Sequence, residues 1–310
     1  MKKIIVAIAA LCIFIGQTAS AAPVKLAGEM SVKYERDTAA GDPSVSGTMN
    51  TLKLTEETEL GAGWSLYGRL GAQYATQPLV ADFNRDAYPE GRKGVAAIDQ
   101  FGLTYKTDKL TYKLGRQDVS FGLDGLLYCR DDGKVGKRVF VDGLSIAGVI
   151  GATDISAVLA QEDNVGTQDN KLYVLRTGYN PSKSLNLGLT LGRYQNSGAD
   201  STNHWAVDGL YKFGKGSLTA QYTRANNSEA NKAYATKVAY DFDGQTAISV
   251  TGFKVEANGA MGGQSDFDSG NKGIHYGLTH KLSEAACLEV VYKDQKAIGG
   301  GQNNTKWRQP

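Results

Sequence analysis

The stretch LNLGLTLG, residues 185–192, decides the fold. Every odd-numbered residue in it is leucine, and every even-numbered residue is small or polar. Side chains alternate between the two faces of a β-strand, so this period of two predicts a strand with one apolar and one polar face. The same alternation opens the chain at 24–35 and recurs at 66–74, 217–222 and 288–293.

Segments with this period follow one another along the whole sequence and predict fifteen strands. A sixteenth strand begins at Thr305 and is cut short by the end of the chain. A tilted strand needs about 9–11 residues to cross a bilayer, and most of the predicted strands have a length near this value. The fifteen predicted spans are 24–36, 48–58, 64–76, 95–107, 109–117, 138–147, 153–162, 171–180, 185–195, 204–213, 216–224, 231–242, 245–256, 272–282 and 286–296.

The connections between these strands alternate in length. Tight turns such as Gly61-Ala62-Gly63 and Asn180-Pro181-Ser182 contain turn-forming residues. Each tight turn is followed by a longer connection, so short and long connections alternate along the chain. Transmembrane barrels have short turns at one end and long loops at the other, while a soluble sandwich does not require this alternation. The predicted fold is therefore all-β, an antiparallel up-and-down transmembrane β-barrel of about 16 strands with a truncated last strand.

The first 21 residues carry the features of a signal peptide. Lys2 and Lys3 precede an almost unbroken apolar run from Ile4 to Ile15, and Ala19-Ser20-Ala21 is a small-x-small cleavage site. The run is shorter than the roughly 20 residues of a membrane-spanning helix, which argues against the alternative of a retained anchor. We expect residues 1–21 to be removed on export to the outer membrane, which leaves 22–310 as the barrel.

Charge and hydropathy narrow the class of protein further. The chain has 34 basic and 32 acidic residues, and removal of Lys2 and Lys3 brings the two numbers to 32 each. Without a basic excess, a nucleic-acid partner is not expected. Mean hydropathy is -0.32, a value typical of soluble proteins. A barrel has such an average because only alternate residues meet lipid.

No catalytic, cofactor or metal motif is found. The sequence contains no G-x-S-x-G, P-loop, Rossmann or H-E-x-x-H pattern, so we expect no enzyme and no cofactor. His275 and His280 are five residues apart, which puts them on opposite faces of a strand and prevents shared metal binding. Cys129 and Cys287 fall in distant parts of the predicted barrel, and we expect both to be unpaired thiols.

The mature chain resembles the sixteen-stranded bacterial porins. The resemblance is carried by the strand number, by the segment PVKLAG at 23–28 and by LGRQD at 114–118. It implies a water-filled channel for passive diffusion of small hydrophilic solutes and ions. It also implies a homotrimer in contact with outer-membrane lipid and lipopolysaccharide, inserted by the β-barrel assembly machinery. The third long loop of such porins folds into the lumen and narrows it, and here that loop is 118–137.

The composition of this loop suits a constriction. Phe121, Leu126 and Tyr128 are too apolar for a solvated loop, so we expect it to pack against the barrel. Acidic loop residues facing basic wall residues would create a transverse field that filters ions, although ordinary solvated rim charges are the alternative. Strict alternation from Leu114 would point Arg116 at lipid unless a bulge intervenes. The candidate constriction residues are Asp118, Asp124, Arg130, Asp131, Asp132, Arg69, Lys113, Arg116 and Arg138.

The chain departs from the porin pattern at its last residues. Porins end in a complete strand with a terminal aromatic residue that the assembly machinery reads, whereas this chain ends in Trp307-Arg308-Gln309-Pro310. This leaves the closure of the barrel open, since an unpaired edge is costly in lipid. Two other functions remain as alternatives: a substrate-selective channel, and a non-conducting structural or adhesive barrel that makes contacts through loops 77–94 and 257–271. A soluble secreted β-protein is a third.

Overall fold

A computed structural model describes residues 24–39, 43–77, 93–130, 134–136, 138–164, 169–299 and 305–308. The expected signal peptide at 1–21 and two candidate site residues, Asp131 and Asp132, lie outside the described residues. Within the described ranges, no helix has the length and apolar character needed to cross a membrane.

Sixteen strands of the described chain form one closed barrel in which every strand is antiparallel to its neighbours, so the predicted all-β barrel is confirmed. A separate hairpin, β6–β7, lies between β5 and β8 in sequence. The strands are β1 Val24–Ala39, β2 Val45–Gly61, β3 Trp64–Ala75, β4 Gly94–Lys106, β5 Leu110–Gln117, β6 Val119–Phe121, β7 Tyr128–Arg130, β8 Val141–Ile150, β9 Thr153–Glu162, β10 Lys171–Ser182, β11 Leu185–Gln195, β12 Thr202–Phe213, β13 Gly216–Ala225, β14 Lys232–Asp241, β15 Thr246–Val255, β16 Asn271–Ser283, β17 Ala286–Ala297 and β18 Thr305–Arg308.

The four-residue strand β18 joins the two ends of the sheet. It pairs with β1 at Arg36–Ala39 and with β17 at Tyr292–Asp294. The barrel is therefore closed at the end that carries the long loops, where the short last strand bridges β1 and β17. Below that level, 24–35 of β1 and 286–291 of β17 have no strand opposite them across the seam among the described residues.

The alternation of the sequence becomes two faces of the barrel wall. In β11, Leu191 is 53% exposed on the outer face, whereas its neighbour Thr190 is 1% exposed on the inner face. Leu187 and Leu189 share the outer face with Leu191. An outer face of apolar side chains suits contact with lipid, and an inner face of small and polar side chains suits a hydrated lumen.

A β-bulge in β4 interrupts this alternation. Arg69 in β3 lies opposite Gln100, but the next residue of β3, Leu70, lies opposite Ile98. The extra residue, Asp99, is fully buried beside the inward-facing Arg69. The bulge thus turns two consecutive residues of β4 toward the lumen, which a strict period of two does not allow.

Three predicted strands differ from the observed strands by three residues at a boundary: β1 and β2 are longer than expected, and the sixth strand of the barrel is displaced. The sixth strand of the barrel was expected at 138–147 and lies at Val141–Ile150. Residues 138–140 belong to the preceding loop, where the Phe140 ring is fully buried beneath the Arg69 guanidinium at 4.7 Å. Packing of this aromatic residue inside the barrel delays the start of the strand.

The two faces give a direct test of membrane orientation. Val250 lies near the middle of β15 on the outer face, and its neighbour Ser249 faces the lumen. Val250→Arg is expected to lower the free energy of unfolding by about 2–4 kcal/mol, since it places a charge at the depth of the bilayer midplane. Ser249→Arg is the matched control and should cost less than about 1 kcal/mol. Urea unfolding from lipid vesicles measures both values, and equal losses would contradict the assigned faces.

Candidate functional site

The chain leaves the barrel wall after β5 and folds into the lumen. The hairpin β6–β7, with a short 3-10 helix at Leu123–Gly125, places Leu126, Leu127 and Tyr128 in fully buried positions. Leu127 and Tyr128 pack against inward-facing residues of β8 to β12, among them Val158 and Leu172. The apolar residues noted in the sequence therefore pack against the inner wall of the barrel.

A buried carboxylate anchors the loop to this wall. Glu162, at the end of β9, is 1% exposed. The hydroxyl of Tyr128 donates to Glu162 Oε1 at 2.8 Å, and the hydroxyl of Tyr194 donates to Oε2 at 2.8 Å. The remaining partners are Asn164 and Asn170, whose Nδ2 atoms donate to Oε2 at 3.0 and 2.9 Å, and Arg130, whose Nη2 lies 3.5 Å from Oε2. A buried carboxylate with this many donors is a rigid point of attachment.

Tyr128 is suited to act as a permanent donor in this network. Burial, together with the adjacent Glu162 carboxylate, raises the pKa of Tyr128 well above its ordinary value. The phenol therefore stays protonated at any physiological pH. Tyr128 is recognisable in the sequence by its apolar ring in a loop, whereas no local pattern identifies Glu162, because the two residues lie on separate segments of the chain.

A second anchor holds the returning limb of the loop. Arg69 donates from Nε to Asp99 Oδ1 at 2.9 Å and from Nη2 to Asp99 Oδ2 at 3.0 Å. The same Nη2 donates to the carbonyl of Lys134 at 2.8 Å, and the backbone N–H of Gly136 donates to Asp99 Oδ2 at 3.1 Å. Arg69, a candidate constriction residue, is thus a buried structural cation whose charge is matched by Asp99.

The tip of the loop reaches the opposite wall. Lys237 Nζ in β14 lies 3.1 and 3.0 Å from the two carboxylate oxygens of Asp124. The side-chain oxygen of Gln221 in β13 accepts a hydrogen bond from the backbone of Leu123. The roots of the loop are in β5 and β8, which lie six and five strands away from β13 around the barrel. The loop therefore spans the lumen from wall to wall.

A second loop, residues 256–270, also folds into the barrel. Met261 and Phe267 are buried, and Phe267 packs on Phe253 of β15 with ring centroids 4.7 Å apart. The backbone N–H of Met261 donates to the carbonyl of Leu127 at 2.9 Å, and that of Cys129 donates to the carbonyl of Gln264 at 2.9 Å. The sequence pattern predicts 257–271 as an outer connection, although Met261 and Phe267 among its glycines are a signal of packing.

The other candidate residues lie at the roots of the first loop. Lys113 and Asp118 form an ion pair of 3.3 Å on one root. On the other, the carbonyl of Arg138 accepts a hydrogen bond from the guanidinium of Arg130, and the Arg138 side chain is half-buried. Arg130 also faces Glu162, so the structure brings it to the buried anchor.

Arg116 lies outside this group. Its Nε and Nη2 bind Asp142 Oδ1 and Oδ2 at 2.9 and 2.5 Å, and Nη2 also lies 2.8 Å from Asp163. It shares a face with the exposed Leu114 and lies 6.0 Å from the ring of the exposed Phe101. Its side chain therefore belongs to the outer face, as strict alternation implies, and two aspartates neutralise it there.

Neither cysteine of the described chain forms a disulfide, as expected: Cys129 is buried under the second loop and Cys287 is exposed. Cys129 can therefore report on the attachment of the first loop. In a Cys287→Ser background, we expect maleimide to label Cys129 slowly.

Replacing Tyr128 with Phe removes one donor from the buried Glu162 carboxylate, at a cost of about 1–3 kcal/mol. We expect the loop to open more often and the labelling rate of Cys129 to rise by about tenfold. Tyr173→Phe is the matched control, because Tyr173 is exposed on the outer face. Equal labelling rates in the two variants would show that Tyr128 does not hold the loop.

Comparison with known proteins agrees with this geometry. No curated protein is similar enough in sequence to count as a relative. Among solved structures, an engineered variant of Rhodopseudomonas blastica porin is 12% identical, with a TM-score of 0.61 and coverage of 93% of this chain and 98% of the other. A triple mutant of the same porin gives the same values. At such identity these similarities show the shared fold.

A further solved chain, described by the asymmetric conductivity of engineered proteins, is 11% identical, with a TM-score of 0.59 and coverage of 92% of this chain and 98% of the other. The family model for Gram-negative porins matches residues 141–297, just over half of the sequence. This match extends from β8, at the end of the inward loop, to β17. With its closed barrel and its loop across the lumen, the chain belongs to the Gram-negative porin family.

Proposed function

We propose that the protein is a general porin through which small hydrophilic solutes and ions diffuse passively across the outer membrane. The observation that carries the proposal is the loop that spans the lumen from Glu162 on one wall to Lys237 on the other. Barrels of about 16–18 strands enclose an aqueous channel, and an inward loop reduces it to the size of small solutes.

Polar groups along the lumen support a hydrated passage. The Asp124–Lys237 pair is partly exposed at the tip of the loop, and Lys113–Asp118 is partly exposed at its root. Toward the end with the short turns, Arg176 and Asp208 form a further pair at 2.7 Å. Because the charges come in pairs, we expect a weak ion preference that depends on the balance of each pair.

The remaining features of the proposal are supported by membership of the porin family. They are export with removal of residues 1–21, insertion by the β-barrel assembly machinery, residence among outer-membrane lipid and lipopolysaccharide, and assembly into a homotrimer. Asp131 and Asp132 remain proposed constriction residues on the sequence pattern alone.

A non-conducting structural barrel is the second candidate, and the meeting of the two inward loops favours it. Leu126 of the first loop and Phe267 of the second belong to one buried apolar cluster with Phe253 and Val255 of the wall. This cluster fills part of the lumen near the long loops. If it fills the remaining cross-section as well, the barrel would not conduct.

Single-channel recording in planar bilayers separates the two functions. The refolded protein is first checked by electrophoresis, where an unheated sample should migrate as a folded barrel. Protein that passes this check is then added to the bilayer under a salt gradient. We expect conductance steps of uniform size, which establish an open pore. If protein that passes the electrophoresis check gives no conductance steps, this result would contradict the porin proposal and favour the structural barrel.

Ion preference offers a sharper test of the loop. Lys237→Met removes a cation from the lumen and leaves Asp124 unpaired, so the reversal potential should shift toward cations. Asp124→Asn leaves Lys237 unpaired and should shift the reversal potential toward anions. Lys183→Met is the control, because Lys183 is exposed in a short turn outside the lumen. Shifts of the same sign in both variants would show that this pair does not line the permeation path.

A further inference from the structure

The barrel has a pocket at the end with the short turns. It has a volume of about 320 Å³ and is formed by residues of β9 to β12 and by the turn that joins β10 to β11. Small-ligand sites in proteins have volumes of roughly 300–1,000 Å³, so this pocket has the size of a site for a small solute. Its lining residues on the inner face of the wall are Asp154, Asn180, Asn186, Leu210 and Lys212.

An ion pair on the same strands orients one side of the pocket. Arg176 of β10 and Asp208 of β12 meet across the intervening strand β11, with Arg176 Nη2 2.7 Å from Asp208 Oδ2. They lie flat over Gly188 of β11, where a Cβ atom would come within 2.6 Å of Arg176 Nη2 and closer still to Asp208. The same Nη2 donates to Asn186 Oδ1 at 3.4 Å. The Nδ2 group of Asn186 is therefore turned away from the guanidinium and toward β9.

Two amides hold a carboxylate in the pocket. Asn180 Nδ2 donates to Asp154 Oδ2 at 2.8 Å, and Asn186 Nδ2 donates to the same oxygen at 3.0 Å. Asn186 Nδ2 also lies 2.7 Å from Asn180 Oδ1, so the three side chains form one network. Both bonds to the carboxylate use Oδ2, and none of the described residues donates to Oδ1. Asp154 is thus fixed in place with one oxygen available to a solute.

Lys212 supplies a cation to the same pocket. It lies on β12, three strands away from Asp154 on β9, and its side chain is exposed. In the described part of the chain, neither Asp154 nor Lys212 has an oppositely charged group within 4 Å. A carboxylate and an ammonium that are held apart in this way can bind the two opposite charges of one solute.

The separation of the two charges sets the length of that solute. Neighbouring strands lie about 4.8 Å apart, so the axes of β9 and β12 are separated by roughly 14 Å. The side chains of Asp154 and Lys212 cover part of this distance. An extended peptide advances about 3.4 Å per residue, so a chain of two or three residues spans roughly 7–10 Å of the remainder.

The rest of the lining suits a peptide as well. The side-chain oxygens of Asn180 and Ser184 can accept hydrogen bonds from peptide N–H groups. Leu210 offers a surface for a small apolar side chain. A single amino acid has its two charges too close together to reach Asp154 and Lys212 at once.

We propose that this pocket is a subsite for zwitterionic peptides of two or three residues that pass through the channel. The N-terminal ammonium binds Asp154 Oδ1, and the C-terminal carboxylate binds Lys212. The proposal rests on the porin function above and names a class of solute that the lumen retains at the end with the short turns. Because both charged groups are open to water, binding is weak enough for the peptide to leave again.

The first test compares four probes on the detergent-solubilised, folded protein by saturation-transfer NMR. Trialanine carries both charges at the required distance. N-acetyl-trialanine lacks the ammonium, trialanine amide lacks the carboxylate, and alanine has both charges at a shorter distance. We expect trialanine to bind at least about fivefold more tightly than each of the others. Equal binding of either blocked peptide would overturn the role of the missing charge, and equal binding of alanine would overturn the spacing.

Two variants locate the site. Asp154→Asn removes the charge and keeps an oxygen for the two asparagines, and it should weaken trialanine binding about tenfold. Lys212→Met should weaken it about threefold, since an exposed ammonium is screened by water. Asp108→Asn and Lys109→Met are the matched controls, because they make the same changes in the exposed turn between β4 and β5. Unchanged binding in Asp154→Asn, or equal losses in the controls, would overturn the location.

Bilayer recording keeps this proposal separate from the porin function. Selective binding of trialanine by a barrel that does not conduct would support the pocket while the channel function fails. Normal conductance together with equal binding of all four probes would overturn the pocket alone. The comparison of probes uses the unaltered chain, so its result does not depend on the folding of any variant.

Discussion

Each peptide group that faces lipid must find its hydrogen-bond partner within the protein, since the bilayer core offers none. The rest of this structure depends on that constraint. It requires a sheet that closes on itself, and sixteen described strands close here through four residues of β18 at the end with the long loops. Beyond those residues, 24–35 of β1 and 286–291 of β17 have no strand opposite them among the described residues. It also requires long strands with alternating faces, because one side meets lipid and the other encloses the lumen.

A closed sheet of this size encloses more space than the side chains of its wall fill. Two loops occupy part of that space, and backbone hydrogen bonds connect them where the carbonyls of Leu127 and Gln264 accept from the opposite loop. The first loop is attached at three places: the buried Glu162, the Arg69–Asp99 pair and the Asp124–Lys237 pair. Because these anchors lie on different walls, the loop is held across the lumen, where it can define the size of the passage.

Charged side chains are balanced in different ways on the inner and outer faces of the barrel wall. In the lumen, described cations such as Arg69 and Lys237 lie beside carboxylates, so that each desolvated charge has a partner. On the outer face near the long loops, cations such as Arg224 and Lys232 face each other, and the surrounding water must screen them. Arg116 is an exception on the outer face, where Asp142 and Asp163 neutralise it.

The sequence by itself determined the strands, their two faces and the alternation of turns and loops. These features depend on neighbouring residues, and the run of leucines at 185–191 lies on the outer face as its period requires. The outward position of Arg116 also follows from this local rule. The packing of the first loop could also be expected, since exposure of its large apolar side chains to water would be unfavourable.

Tertiary structure decided which residues meet across the lumen. Asp124 and Lys237 are 113 positions apart, and Leu123 and Gln221 are 98 apart, so no local pattern links them. The bulge at Asp99 places a carboxylate where Arg69 and the backbone of the returning loop bind it, and a period of two cannot show it. The contact between the two loops likewise depends on the diameter of the closed barrel, which is a property of the whole sheet and of no single segment.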